Sequence, residues 1–260
     1  MSFTPRDPEG SRPIEAGVAR IAPLHSSGYI PLVKYGEQPA DQGWLIVGEV
    51  IDNPGLIERV VKNVQGIGST PPRNIQAEWL LEKYAWTMGV VAGAFVVGVD
   101  RLPQVGPDQV MFHGLGEGVA ILEPQMFCLE SDYRADHPDL TPVPDEAALA
   151  APLKAALNDH LERLISTLTE LKTRPAAALW RAAGDKLAEA FLWCGTTYDK
   201  PERARRLMEQ ILGEPGRLHN RLGVGIDSFG EEFHLRESCC LAYRMPGSRY
   251  CQGCPLAHAA

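Results

Sequence analysis

Four cysteines near the C-terminal end, Cys239, Cys240, Cys251 and Cys254, are the residues whose type and spacing most clearly call for chemistry. The chain has six cysteines, and these four fall in its last 22 residues as an adjacent pair, ten intervening residues, then Cys251-Gln-Gly-Cys254-Pro255. Thiolates are soft, strongly donating ligands, and four of them complete either a tetrahedral zinc site or the two irons of a 2Fe-2S core. The spacing favours iron. Structural zinc sites usually present each cysteine pair with a few residues between its members, and adjacent cysteines reach one ion with difficulty, whereas a diiron core spreads its ligand positions over a larger body. A zinc-stabilised module without electron transfer, and a vicinal disulfide or four structural cysteines with no metal, stay open as alternatives. Structural disulfides are not expected in a reducing cytosol.

The pattern over Arg236-Glu-Ser-Cys-Cys-Leu-Ala-Tyr-Arg244, Pro246-Gly247 and Cys251-Gln-Gly-Cys-Pro-Leu256 resembles the C-terminal signature of the FhuF-type ferric siderophore reductases, where this arrangement holds a 2Fe-2S cluster. Upstream, Glu78-Trp-Leu-Leu-Glu-Lys-Tyr84 and Gly184-Asp-Lys-Leu-Ala-Glu-Ala190 are similar to helices of that family. The resemblance implies an oxidoreductase of the bacterial cytoplasm that reduces ferric siderophores by one electron, with Cys239, Cys240, Cys251 and Cys254 as cluster ligands and no catalytic residue beyond them. The implied partners are a ferric siderophore, an external electron donor and, peripherally at the inner membrane, a siderophore transporter. A redox sensor or a siderophore-binding protein with the same cluster is the alternative reading.

Such a centre suits that chemistry. Siderophores hold iron through hard oxygen donors, which favour the ferric over the ferrous ion, so one added electron loosens the complex. A 2Fe-2S cluster carries one electron at a potential set by net charge, solvent exposure and hydrogen bonds to sulfur. Arg236, Arg244 and Arg249 make the tail locally positive and are candidates to stabilise the reduced cluster or attract an anionic siderophore; solvated loop charges are the plainer account. His234 is close enough in sequence to the first cysteine pair to matter, while the other histidines show no ligand spacing. Gly114-x-Gly116-x-Gly118 lacks the spacing of a dinucleotide fingerprint, so the reductant is external. Cys128 and Cys194 read as small buried hydrophobes. The basic group Arg203, Arg205, Arg206, Arg217, His219 and Arg221 reads as a solvated face.

The rest of the chain must position the tail. With 33 acidic against 25 basic residues, the protein lacks the basic surface that nucleic acid would require, and 45% hydrophobic residues over 260 positions suffice for a large core. The polar, proline-containing start lacks the charged-then-apolar order of a secretory signal. The apolar run Trp86 to Val99 is too short for a membrane span and reads as a core segment. The expected class is α+β: a mixed N-terminal half with short antiparallel strands and helices, a helix-rich second half, and an irregular cluster-binding segment. The expected divisions are a mobile start over 1–20, a mixed region over 21–135, a helical region over 146–230 and the cluster segment over 231–260, with one continuous domain also admissible.

Strands are expected over Tyr29 to Val33 and Trp44 to Ile51, and a helix from Asp52-Asn53-Pro54 to about Gly66. A second helix begins near Asn74 and decays among Gly89, Gly93 and Gly98. Val110 to His113 and Val119 to Leu122 form a hairpin that Met126 to Leu129 extends, and the prolines of 136–145 mark a boundary. Leucines at 149, 153, 157, 161, 164, 168 and 171 draw the apolar stripe of a long helix. Two more helices follow, one from Pro175 and a basic one over Pro201 to Leu212, before a short strand through Phe233 and Leu235.

Overall fold

The computed structural model describes residues 7–66, 69–114 and 116–257. Its class is α+β. The helices are α1 (Pro13–Ile21), α2 (Val47–Ile51), α3 (Pro54–Asn63), α4 (Arg73–Gly93), α5 (Glu146–Glu170), α6 (Ala176–Thr197) and α7 (Pro201–Met208), with π-type turns continuing α4 over Ala94–Val99 and α7 over Glu209–Gly213. The strands are β1 (Leu32–Tyr35), β2 (Trp44–Ile46), β3 (Arg101–Pro103), β4 (Val110–His113), β5 (Gly118–Ile121), β6 (Met126–Leu129), β7 (Leu140–Val143), β8 (Val224–Ile226) and β9 (Glu232–His234). They form three small sheets, ordered β1-β5-β4-β2, β3-β6-β7 and β8-β9.

Local chemistry explains the elements that were anticipated. Asn53 accepts a hydrogen bond from the Leu56 N–H and Pro54 opens α3, a cap and first-turn residue that suit their positions. Asp145 caps α5 in the same way, and Leu149, Leu153, Leu157, Leu161, Leu164 and Leu168 of its stripe are all buried. β4 and β5 pair antiparallel around the glycine turn, of which Leu115 lies outside the described residues.

Other expectations need correction. The start is not mobile as far as residue 20: α1 buries Ile14 and Ile21, and Asp7 pairs with Arg101, Arg20 and Arg134. Residues 1–6 lie outside the described residues. The first strand begins three residues later than expected, at Leu32, and Trp44 to Ile51 divides into β2 and α2, because the Gly48 N–H turns to the Pro107 carbonyl at 2.8 Å instead of continuing the ladder. β6 does not extend the hairpin; it pairs with β3 and β7 in a second sheet. The proline stretch contains β7, paired parallel with β6, and so is structured.

Gly89 lies inside α4, and the helix passes at Gly93 into π-type turns that end at Val99, just past Gly98, within the expected range. A Cβ at Gly89 would lie 2.8 Å from Ala190 Cβ, and one at Gly93 would lie 2.9 Å from Cys194 Sγ. Their missing side chains let α4 and α6 press together as the central pair of the fold, covered by α3, α5, α7 and the sheets. One hydrophobic core runs from Ile14 to Leu218 and includes Cys128 and Cys194, both fully buried free thiols. Arg73–Val99 is the one helix among the described residues long and apolar enough to cross a membrane, and 89% of its most apolar window is buried inside the fold.

Candidate metal centre

The tail cannot hold itself by apolar packing. Between 239 and 257 its buried hydrophobic side chains are Cys240, Met245 and Cys254. Polar groups on α4 and α6 hold it instead. Asp185 of α6, with no exposed surface, accepts at Oδ1 from His234 Nε2 (2.9 Å), the Glu237 N–H (2.9 Å) and Asn220 Nδ2 (2.8 Å), and at Oδ2 from the Ser238 N–H (2.8 Å) and Oγ (2.5 Å). Burial alone would raise its pKa, but these donors outweigh it and hold the carboxyl below its ordinary value. Asp185 thereby ties the end of β9 and the two residues before the first cysteine to the middle of α6.

α4 supplies the second anchor. Arg236, 6% exposed, pairs with Glu82 and lies 3.8 Å from Asp185 Oδ2 and 3.9 Å from Glu189 Oε1. Burial works against its charge, yet Glu82 and the other two carboxylates prevail and raise its pKa. Trp79 Nε1 donates to the Cys240 carbonyl at 3.0 Å, and Arg174, just before α6, donates to the Cys239 carbonyl at 3.3 Å while pairing with Glu78. Burial pushes the Glu78 carboxyl up to about 7 despite that arginine.

The backbone then turns the sulfurs together. Leu241 adopts a left-handed conformation, φ 59°, which is unfavourable for a side-chain-bearing residue, and its N–H points at Cys239 Sγ at 3.4 Å. Gly253 packs on the end of β9, its carbonyl accepting from the Arg236 N–H at 2.9 Å, and a Cβ there would lie 2.0 Å from the His234 carbonyl oxygen. Only glycine permits that approach.

Cys240 Sγ and Cys251 Sγ are 3.9 Å apart. Two thiolates sharing one tetrahedral metal, with bonds of about 2.3 Å, sit about 3.8 Å apart. The hydrogen bond between these two thiols draws Cys240 down to about 6 and pushes Cys251 up, while burial raises Cys239. Among the described residues no three cysteine, histidine or carboxylate side chains converge tightly enough for a single ion. Four sulfurs with one pair already at shared-metal spacing fit a body with two metals. His234 Nδ1 is buried without a hydrogen-bond partner and lies in a cleft that Cys251 and Gly253 also line.

Residues 236–256 match the family model of the FhuF 2Fe-2S C-terminal domain. The tail is a FhuF-type 2Fe-2S domain. The matched span begins at the buried Arg236 and contains all four tail cysteines, and its cofactor is a 2Fe-2S cluster. No curated protein matches the chain.

The FhuF-type tail brings Cys239, Cys240, Cys251 and Cys254 into one segment, Cys240 and Cys254 buried and Cys239 and Cys251 partly exposed. Arg244 and Arg249 are exposed, and the neighbouring Tyr243 and Tyr250 rings meet at a tilt of 43° with their centres 5.9 Å apart. Arg236, expected beside the cluster or a substrate, is buried against α4 and α6, where its charge acts to lower the pKa of Cys240 and Cys251. Sequence reasoning missed the anchors Glu78, Trp79, Glu82, Arg174, Asp185 and Ser238. Glu78, Trp79, Glu82 and Asp185 lie on α4 and α6, and the signal available there was charge on otherwise apolar helix faces.

Proposed function

We propose that this chain reduces a ferric siderophore by one electron in the cytoplasm and so releases ferrous iron, with Cys239, Cys240, Cys251 and Cys254 as ligands of its cluster. The observation that supports this best is a centre fixed from below and open above. Asp185, Glu82, Trp79 and Arg174 grip the backbone around the cysteines from the protein side, whereas Cys239 and Cys251 reach solvent. A bound 2Fe-2S cluster supplies a one-electron couple. The residues around it hold the sulfurs in place, shield Cys240 and Cys254 from water, and leave a face where a bulky chelate can approach without bonding to the protein.

Iron held by hard oxygen donors loses affinity when it becomes ferrous. The partners in this reading are therefore the ferric chelate, an external donor that returns the electron, and peripheral contact with a siderophore transporter. The test is stopped-flow reoxidation of dithionite-reduced protein, followed at the cluster absorbance, with and without ferric siderophore, while a ferrous-specific chelator reports released iron. Reoxidation that speeds up with chelate concentration and yields ferrous iron is expected. A rate no faster than in buffer would leave a cluster that senses rather than reduces.

A further inference from the structure

Two clefts flank the tail. The one beside Cys251 holds about 320 Å³ and is of mixed charge: its Lys186 and Glu189 pair with each other at 2.5 Å. The other holds about 840 Å³ and meets the tail at Pro255, next to Cys254. Its charged lining is Arg181, Arg217, His219, Arg221 and Arg236 against Glu237 alone.

The basic residues of this region divide into two groups. Arg203, Arg205 and Arg206 of α7 are absorbed in ion pairs with Asp100, Glu146, Glu202 and Glu232, as a solvated face would be. Arg217, His219 and Arg221 instead turn to the cleft, where Arg181 of α6 joins them. Arg217 pairs with Glu162 and also lies 5.7 Å from the Trp180 ring centre; Arg221 pairs with Glu237 at 2.9 Å. Among the described residues Arg181 and His219 have no carboxylate at ion-pair distance. With Arg217, Arg221 and Arg236 each paired, Arg181 leaves the cleft one uncompensated positive charge on a chain whose net charge is −8. An anion repelled by the rest of the surface would be drawn here.

The floor adds a second requirement. Trp180, Ala177, Leu235 and Pro255 offer apolar and aromatic surface between the charges, which suits flat rings better than hydrated groups. The volume lies within the range of small-molecule sites, about 300–1,000 Å³.

We infer that this cleft binds a ferric chelate that is both anionic and aromatic, a tris-catecholate, in preference to a tris-hydroxamate, whose chelated core carries no net charge. The inference rests on the siderophore-reductase reading and names its substrate class. A chelate seated on Trp180 would lie against the segment that carries Cys254.

Gallium(III) chelates test it, because gallium keeps the charge and shape of the ferric complex but takes no electron. Holoprotein titrated by calorimetry should bind the gallium tris-catecholate at least tenfold more tightly than a gallium tris-hydroxamate, and added salt should weaken only the first. Arg181→Glu, and separately the milder Arg181→Gln, should weaken catecholate binding, about tenfold for the reversal, while the visible spectrum shows the cluster intact. Equal affinity for the two chelates, or two Arg181 variants that bind like the parent, would overturn the assignment. Since gallium binding needs no electron transfer, reduced protein that ferric catecholate cannot reoxidise would defeat the reductase reading and leave the binding result standing.

Discussion

Replacing Asp185 by asparagine removes one charge and converts one acceptor oxygen into a donor, at a side chain with no exposed surface. If the new amide nitrogen takes the Oδ2 position it faces the Ser238 N–H; if it takes Oδ1 it faces three donors, from His234, Glu237 and Asn220. The Ser238 hydroxyl can turn to accept, but its backbone N–H cannot. The less costly orientation thus orphans one buried N–H, about 1–3 kcal/mol, and weakens the surviving bonds by roughly 1 kcal/mol each for lost charge assistance. The total is on the order of 4 kcal/mol. It acts locally, because every bond crosses from α6 to residues 220–238 and none holds the α4–α6 contact. Amide hydrogen exchange of the iron-loaded protein should therefore accelerate over 232–257 by about a thousandfold, at roughly 1.4 kcal/mol per decade, while peptides from α4 and α6 keep their protection. A tail as protected as the parent's would refute the anchoring argument, and loss spread equally over α4 and α6 would show that Asp185 supports the whole fold.

Serine at Cys239, Cys240, Cys251 or Cys254 should abolish or strongly reduce the cluster absorbance and the iron content, whereas serine at the buried Cys128 or Cys194 should keep both and cost about 1–3 kcal/mol in urea unfolding. Gly253→Ala places a Cβ against the His234 carbonyl oxygen and should lower cluster occupancy, while Gly247→Ala, where φ is 73° but space is open, should cost only about 1 kcal/mol of local strain and keep the cluster. The Glu78 carboxyl titrates near 7 in the fold against 4.5 when exposed, so the folded state holds the extra proton and stability falls as pH rises through that window. Glu78→Gln should flatten this slope in denaturant midpoints measured across pH 4.5 to 7, and an unchanged slope would assign it elsewhere. Alanine at the exposed Arg244 or Arg249 should lower the cluster potential by less than about 59 mV, the value of a tenfold change; a rise would remove both from the cluster's surroundings.

Where periodicity or a cap carried the information, the fold was legible in the sequence. The leucine stripe marked α5, Asn53-Pro54 marked the start of α3, and two short apolar runs around glycines marked β4 and β5. The cluster segment was legible too, because four thiols within a short polar stretch have few other uses. What the sequence hid were relations between distant residues. Gly89 and Gly93 look like helix breakers until Ala190 and Cys194 are found where their side chains would go. Asp185 looks like a surface charge until donors 35 to 53 positions away close around it, and Arg236 looks like a free cation until Glu82, 154 positions earlier, is found beside it. Neither composition nor spacing reports a partner that lies on another element. The same limit hid the sheet membership of β6, since an apolar run fits either neighbouring sheet equally well.

The glycine seam between α4 and α6 has a consequence for the electron exchange proposed above. Because Gly89 and Gly93 leave no α4 side chain at the seam, Ala190 and Cys194 of α6 pack directly on the α4 backbone, and neither helix can slide without breaking those contacts. Glu82 and Asp185 project from this locked pair, so the two points that grip the tail keep a fixed separation whatever the charge on the metal. Single-electron traffic is fast when the surroundings need not rearrange between oxidation states, and a stiff polar cradle meets that condition. Under the proposed activity the pace of exchange would be governed partly from the centre of the molecule: Gly89 lies about two helical turns along α4 from Glu82, and a methyl group added there would loosen the mounting of sulfurs it never touches.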